Sequence, residues 1–239
     1  MPSCHSTNEI LMELIKLGNV EDGMIVVTDE QTAGKGQRGN KWFSEPHKNL
    51  TFSIAIDVSF LNISQIFNLN MAVCLGITKV LKDLDHSLSI FYKIKWPNDI
   101  YFRDNKIGGI LIETVFKADK SLWAVIGIGL NVNQTDFGRL NANSLKNIHL
   151  RDFDLAELLE KLALSIESNM EQKSLVDFNY LKFNYLTHLH RFEILAEFKN
   201  INGVDFVGII KGVEDTGKIA IESEGKLRYY DKQEVKFVR

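Results

Sequence analysis

The chain has 239 residues, of which 45% are hydrophobic and 25% are charged, and its formal net charge is −3. This is the composition of a folded globular protein, which excludes a disordered, collagen-like or coiled-coil chain. The near-neutral charge argues against duplex nucleic acid as a partner, since phosphate-binding proteins usually carry a basic excess. Cys4 and Cys74 are too few for a disulfide framework, so we expect two reduced thiols in a cytoplasmic protein. No targeting segment is expected, and the longest apolar stretches are about ten residues, half of what a membrane helix needs.

Helices and strands alternate in the first half of the chain. Residues 6–17 have the apolar spacing of a helix, which should open on a capping box, Ser6-Thr7-Asn8-Glu9, and end at Gly18. The other predicted elements are strands at 24–28 and 50–56, a long helix at 64–84, and strands at 90–96, 100–102, 106–116 and 122–132, with turns at 97–99, 103–105 and 118–120. The last three strands follow one another along the chain, which favours antiparallel pairing and an α+β fold.

In the last third of the chain, two predicted helices are followed by a series of short strands. Asp154-Leu155-Ala156-Glu157 is a second capping box that should start a helix reaching about residue 171, and another helix is predicted at 175–189. After His190, short strand candidates at 192–198, 204–211, 218–222 and 226–230 alternate with turn residues, as in a small all-β barrel. We therefore predict two domains, residues 1–190 and residues 191–239.

A polar loop at residues 31–42 combines glycines and cationic side chains in a pattern with several possible functions. It contains Gly34-x-Gly36-x-x-Gly39, the spacing of a dinucleotide fingerprint, but the sequence predicts no helix opening at Gly39, as that fingerprint requires. A flexible surface loop and an anion cradle are the other two interpretations. In the second, backbone N–H groups approach a phosphate closely at the glycines. The cations available to such a cradle are Lys35, Arg38 and Lys41, and Trp42 would pack on a ring or in the core.

Three later segments place glycines or polar groups within or at the ends of strands. Lys95-Trp96-Pro97-Asn98-Asp99 is either a polar turn or a set of ligand contacts, with Asp99 a candidate metal ligand. Lys106-Ile107-Gly108-Gly109 puts two glycines inside a strand, which suits close approach of a ligand to the backbone. Gly127-Ile128-Gly129-Leu130-Asn131 repeats that pattern, with a bulged strand as the alternative. Together these segments favour a nucleotide-using enzyme over a binding module.

Taken in order, these segments resemble the motifs of the biotin–protein ligase family. The resemblance rests on Ser6-Thr7-Asn8, on the loop at 34–42, and on the segments at 95–99, 106–113 and 127–133. The resemblance extends to the C-terminus through the order of the predicted elements. It implies an α+β fold in which a class II synthetase-like catalytic domain, a mixed β-sheet with flanking helices, precedes a small SH3-like β-barrel.

The resemblance implies a two-step ligation that uses biotin and MgATP. Biotin and ATP would give biotinyl-5′-AMP and pyrophosphate, and a specific lysine of a biotin carboxyl carrier domain would then take the biotinyl group. Because two anions must meet, cations have to screen them as charge grows at the α-phosphate. The implied partner is the carrier domain of a biotin-dependent carboxylase, with no DNA and no membrane, and the enzyme would be a cytoplasmic monomer or homodimer.

The resemblance also implies roles for individual residues. Catalysis would fall to Lys106, Arg38 and Lys35, and Lys106 would neutralise the carboxylate and phosphate oxygens. The implied biotin contacts are Ser6, Thr7, Asn8, Gln31, Gly34, Gly36, Gln37, Arg38, Gly108, Gly109 and Lys106. The implied ATP contacts are Lys35, Arg38, Trp42, Asn98, Asp99 and Asn131, and Asp99 is also the candidate magnesium ligand.

The chain departs from the family pattern in two respects. Gln37 stands where the family's loop commonly has an arginine that helps retain the adenylate, so looser retention is expected unless Arg38 or Lys35 substitutes. Only five residues precede Ser6, whereas bifunctional members carry an N-terminal DNA-binding domain, so a monofunctional ligase is expected.

Two other functions stay open at the level of sequence. One is a lipoate or octanoate ligase, although the Arg-Arg-x-x-Gly-Gly-Gly type of stretch found in those enzymes does not occur here. The other is a non-catalytic biotin-binding regulator. Lys106 and the intact segment at 95–99 argue against it, because binding biotin alone needs no machinery for an α-phosphate.

Overall fold

The computed structural model of the chain describes residues 1–117, 119–171 and 175–238, with every side chain in these ranges except that of Arg38. The strands are β1 (Ser3–Cys4), β2 (Met24–Thr28), β3 (Glu30–Gln31), β4 (Leu50–Asp57), β5 (Tyr92–Lys95), β6 (Asp99–Phe102), β7 (Asn105–Phe116), β8 (Leu122–Leu130), β9 (Leu195–Asn200), β10 (Asp205–Val213), β11 (Ile219–Ser223), β12 (Lys226–Tyr230) and β13 (Val235–Phe237). The principal helices are α1 (Thr7–Leu17), α2 (Ile66–Asp83), α3 (Leu145–His149), α4 (Leu155–Asn169) and α5 (Phe178–His188).

A six-stranded sheet forms the centre of the molecule, in the order β2-β4-β8-β7-β6-β5. Every neighbouring pair in it is antiparallel, which confirms the pairing predicted for the consecutive strands. The short strands β1 and β3 pair in parallel beside it. Sheets with flanking helices confirm the α+β fold class. One face of the sheet, the back face, packs on α2 and the helices behind it, and the other face, the front face, packs on α1 at one end.

Helix α2 is the core helix of the back face. Together with the preceding 3₁₀ turn it is long and apolar enough to cross a membrane by length and composition alone, a property that the sequence estimate of apolar stretches missed. The structure buries 67% of that window inside the fold. Gly76 explains how tightly it packs, because a Cβ there would lie 2.9 Å from the Cα of Ile166 on α4. Its apolar surface is therefore accounted for by contact with the sheet, α4 and α5.

Two local predictions from the sequence are wrong. The capping box at Ser6 does not form: the Ser6 side chain makes no cap hydrogen bond, and the Glu9 carboxylate turns instead to His5 and Lys35. The strand predicted at 90–96 begins only at Tyr92, because residues 86–91 form a 3₁₀ turn capped by the Asp85 carboxylate.

Two other local predictions have a mixed outcome. Asp154 caps α4 as predicted, accepting from the backbone N–H groups of Ala156 and Glu157, but α4 ends at Asn169. The turn predicted at 118–120 includes Ala118, which lies outside the described residues.

The C-terminal strands form a five-stranded antiparallel sheet in the order β12-β11-β10-β9-β13. Four of these strands were predicted, whereas β13 was not, because three residues are too few for an alternation signal. Buried side chains such as Phe198 and Ile210 continue into the core of the central sheet. The Trp96 indole N–H also donates to the Gly217 carbonyl at 2.9 Å. The SH3-like form of this unit and the boundary at residue 190 stay predictions.

Candidate active site

A cavity of about 330 Å³ opens on the front face of the central sheet. Side chains alternate along β4 and β8, so that Phe52 and Ile128 enter the core on the back while their neighbours face the cavity. The strand register aligns one residue from each of five strands into a row across this face. In strand order the row is Thr51, Gly129, Gly109, Asp99 and Lys95. This row of small and polar residues forms the floor of the site.

The glycines of the floor make room for the protein's own side chains. A Cβ on Gly127, in the next row, would collide with the Asn8 amide. A Cβ on Gly129 would collide with the indole ring of Trp42. The sequence predicted a ligand against these glycines or a bulged strand, and the described contacts fill both positions from within the chain. No register shift occurs along β7 and β8 at these residues.

One end of the cavity, the uncharged end, is lined by hydroxyl and amide side chains at the first turn of α1, and a hydrogen bond links them to the Glu113 carboxylate outside the cavity wall. The Thr7 backbone N–H donates to Gln31 Oε1 at 2.9 Å, and the Thr7 and Ser53 hydroxyls share a hydrogen bond of 2.7 Å. Ser53 donates to Asn8 Oδ1 at 2.6 Å, and Asn8 Nδ2 donates to Glu113 Oε2 at 2.8 Å. Since Gln31 Oε1 is used by Thr7, the Gln31 amide group can present its N–H donors to a ligand.

The other end of the cavity is centred on an ion pair between Lys106 and Asp99. The Lys106 ammonium lies 2.6 Å from Asp99 Oδ1 and 5.9 Å from the centroid of the Trp42 ring. A Cβ on Gly109 would lie 3.1 Å from the Lys106 Nζ atom, so the glycine leaves space for the pair directly above the strand. The sequence had placed Lys106 at the start of a strand as a solvated or catalytic lysine, and it lines the cavity.

A β-bulge in β7 brings Lys106 to the cavity. Asp99 lies opposite Gly109 and Ile100 opposite Gly108, but Tyr101 lies opposite Lys106, so Ile107 is an extra residue. In a strand without a bulge, Lys106 and Gly109 would point to opposite faces, because they are three residues apart. The extra residue puts both on the front face, beside Asp99.

Further cations reach the same end from other elements. Lys95 donates to the Tyr101 hydroxyl at 3.2 Å and lies 5.3 Å from the ring centroid of Phe237, and burial lowers the pKa of this lysine. Lys236 and Phe237 of β13 and Lys232 of the turn before it contribute to the cavity wall. No residue of this C-terminal unit was predicted in the site, because nothing in the sequence of residues 191–239 indicates contact with a distant strand.

The glycine-rich loop closes the cavity as a short hairpin. The Gly36 N–H donates to the Asn40 carbonyl at 2.7 Å, and the Trp42 N–H donates to the Gly34 carbonyl at 2.9 Å. Its tip is a 3₁₀ turn, Gln37–Gly39, with Gly39 at a φ of 76°. Lys35 lines the cavity and is also paired with Glu9 on α1. The side chain of Arg38 lies outside the described part of the chain.

The structure therefore brings most of the predicted site residues together. The predicted residues that line the cavity are Ser6, Thr7, Asn8, Gln31, Lys35, Gly36, Gln37, Trp42, Asn98, Asp99, Lys106 and Gly109. The Asn131 side chain instead donates to the Asn143 carbonyl at 3.0 Å. Gly34 and Gly108 lie next to cavity residues without being part of its wall. Thr51 and Ser53 were not predicted in the site, because the β-strand pattern around them contains no motif.

No group of three or more His, Cys, Asp or Glu residues within the described ranges could hold a metal ion. Asp99, the candidate magnesium ligand, is engaged by Lys106. One carboxylate beside a cationic cavity fits a Mg²⁺ ion that keeps several waters and is bound mainly through the phosphates of a nucleotide.

Comparisons with known proteins find relatives by sequence and by structure. A sequence model of the biotin/lipoate A/B protein ligase family matches residues 1–131. Biotin--protein ligase 2 of Arabidopsis thaliana is 30% identical over 95% of this chain and 70% of its own length, and the bifunctional ligase/repressor BirA of Escherichia coli is 28% identical over 95% and 70%. The structure of biotin protein ligase from Aquifex aeolicus in complex with biotin and ATP superposes with a TM-score of 0.81 at 27% identity, covering 100% of this chain and 97% of that one.

Proposed function

The chain belongs to the biotin/lipoate A/B protein ligase family, and we propose that it is a biotin–protein ligase that forms biotinyl-5′-AMP from biotin and MgATP. In the second step a lysine of a biotin carboxyl carrier domain would take the biotinyl group and release AMP. The names of the relatives support this choice of acid, since the Escherichia coli and Arabidopsis thaliana proteins are both named as ligases and the second as a biotin ligase. The proposal places the enzyme in the cytoplasm.

The main support for the proposal is that the cavity is lined by uncharged groups at one end and by cations at the other. Its uncharged end offers amide and hydroxyl groups at Thr7, Asn8 and Gln31, which suit the ureido ring of biotin, a group with N–H donors and a carbonyl acceptor. Its cationic end at Lys106 suits a carboxylate and a phosphate. One cavity thus has complementary ends for the two halves of an acyl-adenylate.

In the proposed first step a biotin carboxylate oxygen attacks the α-phosphorus of ATP, and the bond to the β-phosphate oxygen breaks to release pyrophosphate. Lys106 would bind the carboxylate and the α-phosphate oxygens, offsetting their repulsion and the charge that grows in the transition state. Asp99 would hold the Lys106 ammonium in place over Gly109. In the second step the carrier lysine attacks the acyl carbon, and AMP leaves with the bonding electrons.

We also propose which parts of the chain hold the two substrates. Residues 1–190 would form the catalytic unit, and residues 191–239 would close the phosphate side through Lys232 and Lys236. Lys35 and Arg38 of the loop would cover the mixed anhydride and exclude water. Trp42 and Asn98 would lie on the nucleotide side, with Mg²⁺ held by the nucleotide phosphates near Asp99.

Detection of the adenylate tests the proposal. The purified chain is incubated with MgATP and, separately, with biotin, lipoate or octanoate, and acyl-AMP is measured by mass spectrometry. We expect biotinyl-AMP alone. Lipoyl- or octanoyl-AMP would assign the chain to the other branch of the family, and biotin binding without any adenylate would favour a non-catalytic regulator.

The variant Lys106→Ala tests the assigned chemistry, and Lys161→Ala is its matched control. Lys161 is also paired with a carboxylate, that of Glu157, but on an exposed part of α4. Removing a charge-assisted contact of about 1.5–3 kcal/mol should slow adenylation by the variant about 10- to 150-fold. The control should keep the parent rate, and full turnover by Lys106→Ala would refute the role of this lysine.

A further inference from the structure

The first turn of α1 connects three parts of the cavity wall. The Thr7 hydroxyl bonds to Ser53 on β4 and the Asn8 amide donates to Glu113 on β7, so these two side chains face the sheet. Glu9 follows them on the partly exposed side of the helix and does not line the cavity. Its position leaves it free to contact Lys35 of the glycine-rich loop.

The Glu9 carboxylate has two side-chain partners, one at each oxygen. Its Oε1 atom accepts from the Lys35 ammonium, and its Oε2 atom lies 3.2 Å from His5 Nε2. The hydrogen bond and the charge of Glu9 raise the pKa of Lys35, so this lysine stays charged. Lys35 stands between Gly34 and Gly36, where the loop backbone has few side chains to hold it. The ion pair is thus a side-chain tie between the loop and a rigid helix.

The tie acts at the stem of the loop hairpin. Lys35 and Lys41 form a backbone bridge, and the Trp42 N–H donates to the Gly34 carbonyl, so the two sides of the stem move together. A Cβ on Gly34 would lie 2.7 Å from Gln31 Nε2, which shows how closely the stem packs on the uncharged end of the cavity. Fixing Lys35 therefore fixes the stem against α1 and keeps the Lys35 ammonium at the cavity mouth.

We propose that Glu9 is a positioning residue that holds the glycine-rich loop closed over the reaction intermediate through its ion pair with Lys35. This inference rests on the proposed function, since the intermediate is taken to be an acyl-adenylate. Gln37 gives the loop tip an uncharged side chain, which leaves retention of the adenylate more dependent on the stem. Glu9 itself touches no substrate.

The test measures adenylate retention separately from adenylate formation. The variant Glu9→Gln removes the charge and keeps the shape, and Glu13→Gln is the matched control on an exposed position of the same helix. Formation is followed in a single turnover by mass spectrometry, and leakage is followed as biotinylation of a bystander protein. Wild-type formation of biotinyl-AMP establishes the function first, so a failure of the loop proposal is seen as a separate result.

We expect Glu9→Gln to leak the adenylate about two- to fivefold faster, the effect of losing one exposed ion pair, while Glu13→Gln matches the wild type. In a Lys35→Gln background the Glu9→Gln change should have no further effect, because Glu9 acts through Lys35. Equal leakage from Glu9→Gln and wild type would overturn the proposal. Slower leakage would also overturn it, since Glu9 would then compete with the ligand for Lys35.

Discussion

Replacing Gly127 with alanine should disrupt the uncharged end of the cavity by displacing the Asn8 amide. The added Cβ would lie 3.0 Å from Asn8 Cγ and 3.1 Å from Asn8 Nδ2, and closer still to Oδ1, so the amide has to move. That amide accepts from Ser53 at 2.6 Å and donates to the Glu113 carboxylate at 2.8 Å. A buried neutral hydrogen bond contributes about 1 kcal/mol and one to a charged group about 1.5–3 kcal/mol. We therefore expect Gly127→Ala to lower the free energy of unfolding by about 2–4 kcal/mol.

Urea unfolding at 25 °C measures the loss of stability, and calorimetric titration with biotin measures the loss of binding. Gly212→Ala is the control, because it also adds a Cβ to a strand glycine but meets only the flexible Lys182 side chain at 3.8 Å. In an Asn8→Ala background the Gly127→Ala change should become much less costly, since the colliding amide is gone. Equal unfolding free energies for Gly127→Ala and Gly212→Ala would refute the assignment of this glycine to the Asn8 side chain.

Two further predictions concern the loop and the segment before the C-terminal sheet. Gln37→Arg should slow leakage of biotinyl-AMP to bystander lysines, because a charged donor binds a phosphate more strongly than an amide; unchanged leakage would refute the idea. Burial and the neighbouring Arg191 lower the pKa of His190 from 6.5 to about 4. Below pH 6.5 the imidazole therefore takes up a proton in the unfolded chain but stays neutral in the folded chain. The free energy of unfolding consequently falls from pH 6.5 towards pH 4, by at most about 3 kcal/mol. His190→Gln should show a flatter profile in urea unfolding over this range, and an equal slope would contradict the assignment.

Local patterns in the sequence predicted much of the fold. The strands of the central sheet have alternating or continuous apolar residues, and the hairpin at residues 103–105 was marked by turn residues between them. The 3₁₀ turn before β5 was missed, because its residues are as apolar as those of a strand and only the Asp85 cap distinguishes them. The failed capping box at Ser6 has a different cause: the Glu9 carboxylate pairs with Lys35 on another segment, and a local motif carries no information about such distant contacts.

The site was predicted less completely than the fold because its geometry depends on register. The floor residues come from five strands, and only the pairing of those strands makes Thr51 a neighbour of Gly129, and Gly129 of Gly109. Motifs marked the glycines correctly as places of close approach. They could not show that the approaching groups are Asn8 and Trp42 of the same chain.

The bulge at Ile107 determines on which face of the central sheet the Lys106 side chain lies. Strict alternation would send the Lys106 side chain to the back face, where α2 and the apolar core leave no place for an ammonium group. One extra residue reverses the side on which the lysine lies and leaves Ile107 fully buried. Gly108 leaves room for the Gly129 carbonyl, which would lie 3.0 Å from a Cβ there, and Gly109 leaves space for the ion pair with Asp99. The bulge between Lys106 and Gly109 thus places a lysine ammonium group at the floor of the cavity.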